Sequence, residues 1–142
     1  MLGDAAFSSE DYYERLKREA PENVHFHGWV DDLPAKVNEI GLQVCLVPSR
    51  VKESFSLAAI EMTALSCLVL VRNLGALEDV ARELGLGMFE KDEELLALLR
   101  DLHGRESSDL VDAAQRAHAG IQFFSHGKFQ GKLKILLLRT LY

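Results

Sequence analysis

Between Val44 and Glu61 the chain reads VCLVPSRVKESFSLAAIE, and this order of residue types leaves few folds open. Val44, Leu46 and Val47 make an apolar run short enough for a buried strand. Pro48 has no amide to donate, and with the polar residues behind it ends the strand and opens a loop. From Ser54 onward Leu57, Ile60 and Leu65 recur at helical spacing, so a helix follows the loop. Its first-turn amides have no partner inside the helix and favour an anion in the loop. Glu53 and Glu61, eight positions apart, are expected just before the helix and two turns along it. Carboxylates on either side of an anion suit a ligand with hydroxyls flanking phosphate, the set that a sugar nucleotide presents. An ordinary strand, loop and helix with two surface glutamates has the same periodicity, so these residues alone leave both readings open.

The rest of the chain alternates in the same way. Ser8 or Ser9 can cap a helix running to about Ala20, with Tyr12, Tyr13 and Leu16 on its apolar side. Val24 to His27 reads as a strand, Asp31 or Asp32 opens a helix to Ile40, and Gln43 to Val47 is the next strand. Leu68 to Val71 is strongly apolar, Leu77 to Leu84 is helical, and Gly87 to Phe89 is a last short strand. Helices are expected over 92–102, 107–118 and 125–141. Four strands separated by helices imply a parallel sheet covered on both faces. The strands at Val47 and Val71 should be parallel neighbours joined by a crossover that carries Glu61.

A net charge of −6 argues against a nucleic-acid-binding surface. No stretch has the length and apolarity of a membrane span, and the opening residues MLGDAAFSSED lack the regions of a signal peptide, so the expected compartment is the cytoplasm. Cys45 and Cys67 lie in apolar runs, where free cysteine serves as a small buried side chain rather than a disulfide or zinc ligand. His25 and His27 alternate with Val24 and Phe26, a pattern that suits two metal ligands and equally a solvent-facing edge strand. Trp29 has two readings, a packed core aromatic or a ring over a nucleotide base. No dinucleotide fingerprint, phosphate-loop lysine motif, nucleophile elbow or paired CxxC is present.

The order Val24-His-Phe-His-Gly28, Val47-Pro-Ser49, Glu53-Ser-Phe-Ser-Leu57, Glu61, Leu68-Val-Leu-Val71, Gly75, Glu78 and Gly87-Met-Phe89 resembles the carboxy-terminal half of a known enzyme family. These are the retaining, nucleotide-sugar-dependent glycosyltransferases with two Rossmann-like domains, the GT-B type, called family 4 or group 1. The resemblance runs over nearly the whole chain, and its most specific element is a Glu, seven residues and a second Glu, here Glu53 and Glu61. It implies an α/β fold: an incomplete Rossmann-like parallel sheet flanked by helices, with residues 1–142 as part of a carboxy-terminal domain and 125–142 as its closing helix. It also implies transfer of a sugar from a nucleotide diphosphate sugar to a hydroxyl acceptor, with no metal and no cofactor beyond the donor. Glu53 would lie by the donor sugar as the catalytic carboxylate. Glu61 would hold the ribose hydroxyls, and Ser54, Phe55, Ser56 and Leu57 would touch sugar and diphosphate through the loop and the helix start. Asn73-Leu-Gly75 and Glu78 match a later loop of the family.

A family domain of this kind begins with a strand, a helix and a second strand that have no counterpart here, and in the order 3-2-1-4-5-6 those strands are central. The expectation is therefore a fragment of a larger protein, or a chain that self-associates or borrows the missing domain from a partner. The family's phosphate-neutralising arginine and lysine belong to the same missing part, and Lys52 maps onto neither with certainty. The family has glycine where this chain has Ser54 or Ser56, and a Gly-x-Pro-Val where it has Ser66-Cys-Leu-Val69, so serine is expected to restrict the backbone there. The isolated chain is accordingly expected to be inactive. The alternative to a donor-binding portion is a noncatalytic remnant or partner module that keeps the fold.

Overall fold

The computed structural model describes residues 10–52 and 56–121. The chain divides into two compact units, Met1–Gly41 and Leu42–Tyr142.

In the first unit, helix α1 (Glu10–Glu19) places Lys17 and Arg18 in its last turn, where positive charge offsets the partial negative charge of the free carbonyls. Ser8 and Ser9, the expected caps, lie outside the described residues. Tyr13 packs edge-on against Phe26, with ring centroids 5.8 Å apart and planes at 89°. The Lys17 ammonium sits 4.3 Å from the Tyr13 centroid. The chain then turns at Pro21, whose carbonyl accepts from the Val24 amide at 2.9 Å. The expectation of a strand over Val24 to His27 does not hold; the next residue, Gly28, makes an isolated bridge. Alternation of apolar and polar residues describes a surface, whereas a strand exists only where a neighbour completes its ladder of hydrogen bonds. Helix α2 (Leu33–Ile40) starts as the sequence suggests, with the Asp32 carboxylate accepting from the Ala35 amide at 2.9 Å and Pro34 in the first turn.

The second unit is a parallel three-stranded sheet with helices. Its elements are β1 (Val44–Val47), α3 (Leu57–Ala64), β2 (Leu68–Arg72), α4 (Ala76–Leu84), β3 (Gly87–Phe89), α5 (Asp92–His103) and α6 (Ser107–Gly120). The sheet order is β1-β2-β3. Val44 pairs with Leu68 and Val47 with Val71, so the two strands expected to be parallel neighbours are. The expected closing helix over 125–141 lies outside the described residues.

The core forms around β2, where Val69 and Val71 are fully buried and Leu70 nearly so. Helices α3, α4 and α6 all pack against this strand. They contribute Ala59 and Met62, then Leu77, Val80, Ala81 and Leu84, then Ala114 and Ala117. Small residues on α3 and α6 let backbones approach closely. Helix α5 packs against β3 and buries none of its own side chains fully.

Two backbone positions have opposite consequences. Gly87 is the register partner of Leu70, and a Cβ at Gly87 would collide with Leu70 Cδ2. Ser66 takes φ +59°, a left-handed conformation. The Ser66 amide donates to the Thr63 carbonyl at 3.0 Å and the Cys67 amide to the Met62 carbonyl at 3.0 Å, which closes α3 in the way a glycine ordinarily would. Gly87→Ala should destabilise the chain by about 1 to 3 kcal/mol, because the buried Leu70 side chain must shift to admit the methyl group. Ser66→Gly should leave stability unchanged or raise it by up to about 1 kcal/mol, since relief of the left-handed strain outweighs the exposed 3.4 Å hydrogen bond between Ser66 Oγ and His118 Nδ1. Urea unfolding of the two variants checks both signs; a stabilised Gly87→Ala would contradict the packing described.

Candidate functional site

The carboxyl ends of β1 and β2 open onto the start of α3 and onto the loop that leads into α4. Beyond Val47 and Pro48, the Ser49 hydroxyl donates to the Val51 carbonyl at 3.3 Å. Arg50, Val51 and Lys52 are exposed. Glu53, Ser54 and Phe55, three of the candidate site residues, lie outside the described residues. Ser56 is 2% exposed and extended, at φ −104° and ψ 95°. A serine there meets no backbone restriction, contrary to the expectation for a residue replacing glycine. It caps α3 through its backbone, with no side-chain capping bond among the described residues.

Helix α3 begins at Leu57 rather than at Ser54, so Glu61 lies about 6 Å along the axis, one turn from the start instead of two. The buried face also differs from the one the spacing of Leu57, Ile60 and Leu65 suggests. Ala59, Met62 and Thr63 face the core, and Leu57 is 62% exposed. The Thr63 hydroxyl donates to the Ala59 carbonyl at 2.7 Å, which lets a polar residue sit fully buried. Ala59 and Thr63 are small residues four apart, the signal in the sequence for the side that approaches the sheet. The opposite stripe carries Leu57 and Glu61, also four apart, both exposed. The structure therefore brings these two candidates together at the front of α3 and turns Ser56 inward. Side chains on a helix lean toward its amino end, so Glu61 leans toward the free amides of the first turn.

The neighbouring loop has its own constraint. Gly75 caps α4 at φ 63° and ψ −135°, a combination open to glycine and strained for any other residue. Its carbonyl accepts from the Glu78 amide at 3.2 Å.

Beside this edge stands a polar network that the sequence reading did not single out. The Arg72 guanidinium lies 5.0 Å from the Phe89 ring centroid. It donates through Nη1 to the Glu90 carbonyl and through Nη2 to Asp92 Oδ1, both at 2.7 Å. Asn73 Nδ2 donates to Glu90 Oε1 at 3.0 Å. Glu94 Oε2 accepts from the Glu90 amide at 2.7 Å and the Lys91 amide at 3.4 Å, closing the start of α5. Arg50 reaches Asp92 at 3.9 Å. Arg72 Nε and Asn73 Oδ1 are shielded from solvent and have no hydrogen-bond partner among the described residues. One unused donor and one unused acceptor thus sit at the carboxyl edge of the sheet, where each can take a hydroxyl or a water. The signal in the sequence was a charged residue closing the apolar run LVLVR.

Burial raises the Cys45 thiol to about 11, with Cys67 nearby adding to the shift, and burial also raises Cys67. Cys67 Sγ donates to the Leu42 carbonyl at 3.4 Å. Both cysteines are free. Among the described residues no three His, Cys, Asp or Glu side chains cluster as metal ligands, and no helix is long and apolar enough to cross a membrane.

Comparison with known proteins adds to this geometry. A family model described as "Glycosyl transferases group 1" matches residues 1–103. An "Uncharacterized 41.2 kDa protein in cps region" of Klebsiella pneumoniae is 35% identical over 96 residues, which is 66% of this chain and 24% of that protein. The chain thus spans about a quarter of the length of this relative. No solved structure matches the chain.

The network at α5 makes stability depend on pH. Hydrogen bonding to Arg72, then its charge, holds the Asp92 carboxyl below its ordinary 3.8. The Glu90 and Lys91 amides hold Glu94 below its ordinary 4.5. A carboxyl depressed in the folded chain takes up its proton first in the unfolded one. The stability from these groups is therefore complete above the ordinary values and is lost as the pH falls through the lower folded ones. Both groups are exposed, so solvent keeps the effect small and salt reduces it further. Thermal melts should place Asp92→Asn below the unaltered chain at neutral pH, with the two converging well below pH 3.8. A gap that widens in acid would contradict the assignment.

Proposed function

The chain belongs to the group 1 glycosyl transferases, and on that footing we propose that it is the donor-binding portion of a cytoplasmic enzyme that moves a sugar from a nucleotide diphosphate sugar to a hydroxyl acceptor. The observation that carries this reading is the front of α3, where Leu57 and Glu61 share an exposed stripe beside first-turn amides at the carboxyl end of β1. Open parallel sheets bind ligands at this end of their strands. The amides would take the diphosphate, and the ionised Glu61 carboxylate offers two oxygens to the two ribose hydroxyls.

Glu53 is assigned the donor sugar from the family spacing of the two glutamates, where a carboxylate would stabilise positive charge developing at the anomeric carbon. Ser54, Phe55 and Ser56 complete the donor loop in this reading. Retention of stereochemistry follows from the family resemblance. The acceptor side and the remaining phosphate-neutralising groups would come from the rest of a two-domain protein, and the chain by itself would bind donor without turning it over.

Two substitutions separate the roles. Glu61→Ala should weaken binding of a bare nucleotide diphosphate by about 1 to 3 kcal/mol, the range for hydrogen bonds to a charged group. Glu53→Ala should lower turnover more than nucleotide affinity, because its contacts grow in the transition state. Calorimetry of the chain with a panel of nucleotide diphosphates measures the first effect. Transfer rates in a two-domain protein that contains the chain measure the second. Unaltered affinity and unaltered turnover would sink the assignment of both glutamates.

A further inference from the structure

Helix α5 holds five leucines, yet none of its side chains is fully buried. On one flank of α5 lies an open groove lined by Met88 of β3 and by Glu94, Ala97, Leu98 and Asp101 of the helix. Met88 is 36% exposed there. The four helix residues are spaced i, i+3, i+4 and i+7, so they form one stripe, with two apolar residues between two carboxylates about 10 Å apart along the axis. Each carboxylate is engaged through one oxygen, Glu94 Oε2 by the amides that open α5 and Asp101 Oδ2 by Arg105. Its second oxygen can meet a cation.

We propose that this groove is the docking site of the chain's own carboxyl-terminal segment, with residues 132–139 covering it in cis as an amphipathic helix. The described residues end at Ile121, at the close of α6, and 21 more follow in the sequence. Residues 132–139 read KLKILLLR, in which Lys132, Ile135, Leu136 and Arg139 repeat the spacing i, i+3, i+4 and i+7. Two apolar residues again lie between two charges, here of opposite sign. At helical spacing the segment is the complement of the stripe on α5, cation against carboxylate and apolar against apolar. The charge balance agrees over a longer span, since residues 122–142 hold three lysines, one arginine and no carboxylate, whereas α5 holds four carboxylates against one arginine. Reach is no obstacle. The ten residues between Ile121 and Lys132 span up to about 33 Å when extended, about the diameter of a small domain. A second copy presents the same stripe, but a ten-residue tether holds the chain's own segment at an effective concentration on the order of millimolar, which favours docking in cis. The groove belongs to α5 and β3 and the donor reading to α3, so neither rests on the other.

Paired cysteines in the full chain test the docking. Ala97→Cys with Leu136→Cys should close a disulfide within one chain under mild oxidation, and Ala97→Cys with Leu138→Cys, on the opposite side of the expected helix, should not. Leu136→Asp should speed hydrogen exchange of the α5 amides about tenfold while leaving those of β2 unchanged. Charge reversal reads the ion pairs. Asp101→Lys should lower the thermal midpoint by about 1 to 3 °C, and adding either Lys132→Glu or Arg139→Glu should recover part of the loss, the rescuing partner giving the direction of the segment. A disulfide formed only between chains, in proportion to protein concentration, would overturn the proposal and assign the groove to a second copy. Equal cross-linking from Leu136→Cys and Leu138→Cys, or α5 exchange unchanged by Leu136→Asp, would overturn it and leave the groove to another partner. If Leu136→Asp does not fold, the charge reversals carry the test, and failure of both rescues is the result that overturns the proposal.

Discussion

The central strand β2 is bonded along both edges, to β1 from Val44↔Leu68 onward and to β3 as far as Arg72↔Phe89. Every other placement in the second unit depends on that double pairing. It commits the amides and carbonyls of a strand whose middle residues are inaccessible to water, and α3, α4 and α6 all find their apolar partners on it. It also aligns the carboxyl ends of the three strands, so that the loops after Val47, Arg72 and Phe89 emerge on one side. Three short strands can hold this register because Leu70 fills the space that Gly87 leaves empty.

Two serines, one at each end of α3, stand where the family resemblance implies glycine, and backbone geometry tells them apart. Ser56 is extended, so the lack of a glycine has no conformational cost at this position. Ser66 is left-handed and does carry a cost, which is offset by the two amide bonds that close α3. The same substitution type therefore means different things at two positions ten residues apart, and only the dihedral angles separate them. Arg72 shows a related economy. One guanidinium stacks on Phe89, holds the Glu90 carbonyl and bonds Asp92 at the start of α5, so the end of β2 is tied to the beginning of the last strand-to-helix loop.

Much of this was legible in the sequence, and the failures share a cause. Strands at Val44, Leu68 and Gly87, and the helices between them, follow from short apolar runs set against helical spacing, because those patterns report burial within one element. Val24 to His27 has an equally good pattern and is not a strand, since pattern says nothing about whether a neighbour is present to pair with. Helix α3 starts one turn later than its spacing suggests, because Leu57, Ile60 and Leu65 mark a helix without marking its first residue, which Ser56 sets by being extended. The buried face of α3 differs for another reason: close approach to the sheet selects Ala59 and Thr63 over the larger Leu57, and apolarity alone carries no information on size. Arg72 and Asp92, twenty positions apart, could not be paired from the sequence at all.

The two cysteines have a practical bearing on how this molecule can be followed in solution. A thiol raised from 9.0 to about 11 holds about a hundredfold less of the reactive thiolate than a free cysteine at the same pH. Alkylating reagents should therefore meet Cys45 and Cys67 mainly in molecules whose β1 and β2 have parted, and the rate of labelling becomes a clock for strand separation. That clock needs no engineered probe. It reads the opening of the very ladder on which the sheet is built.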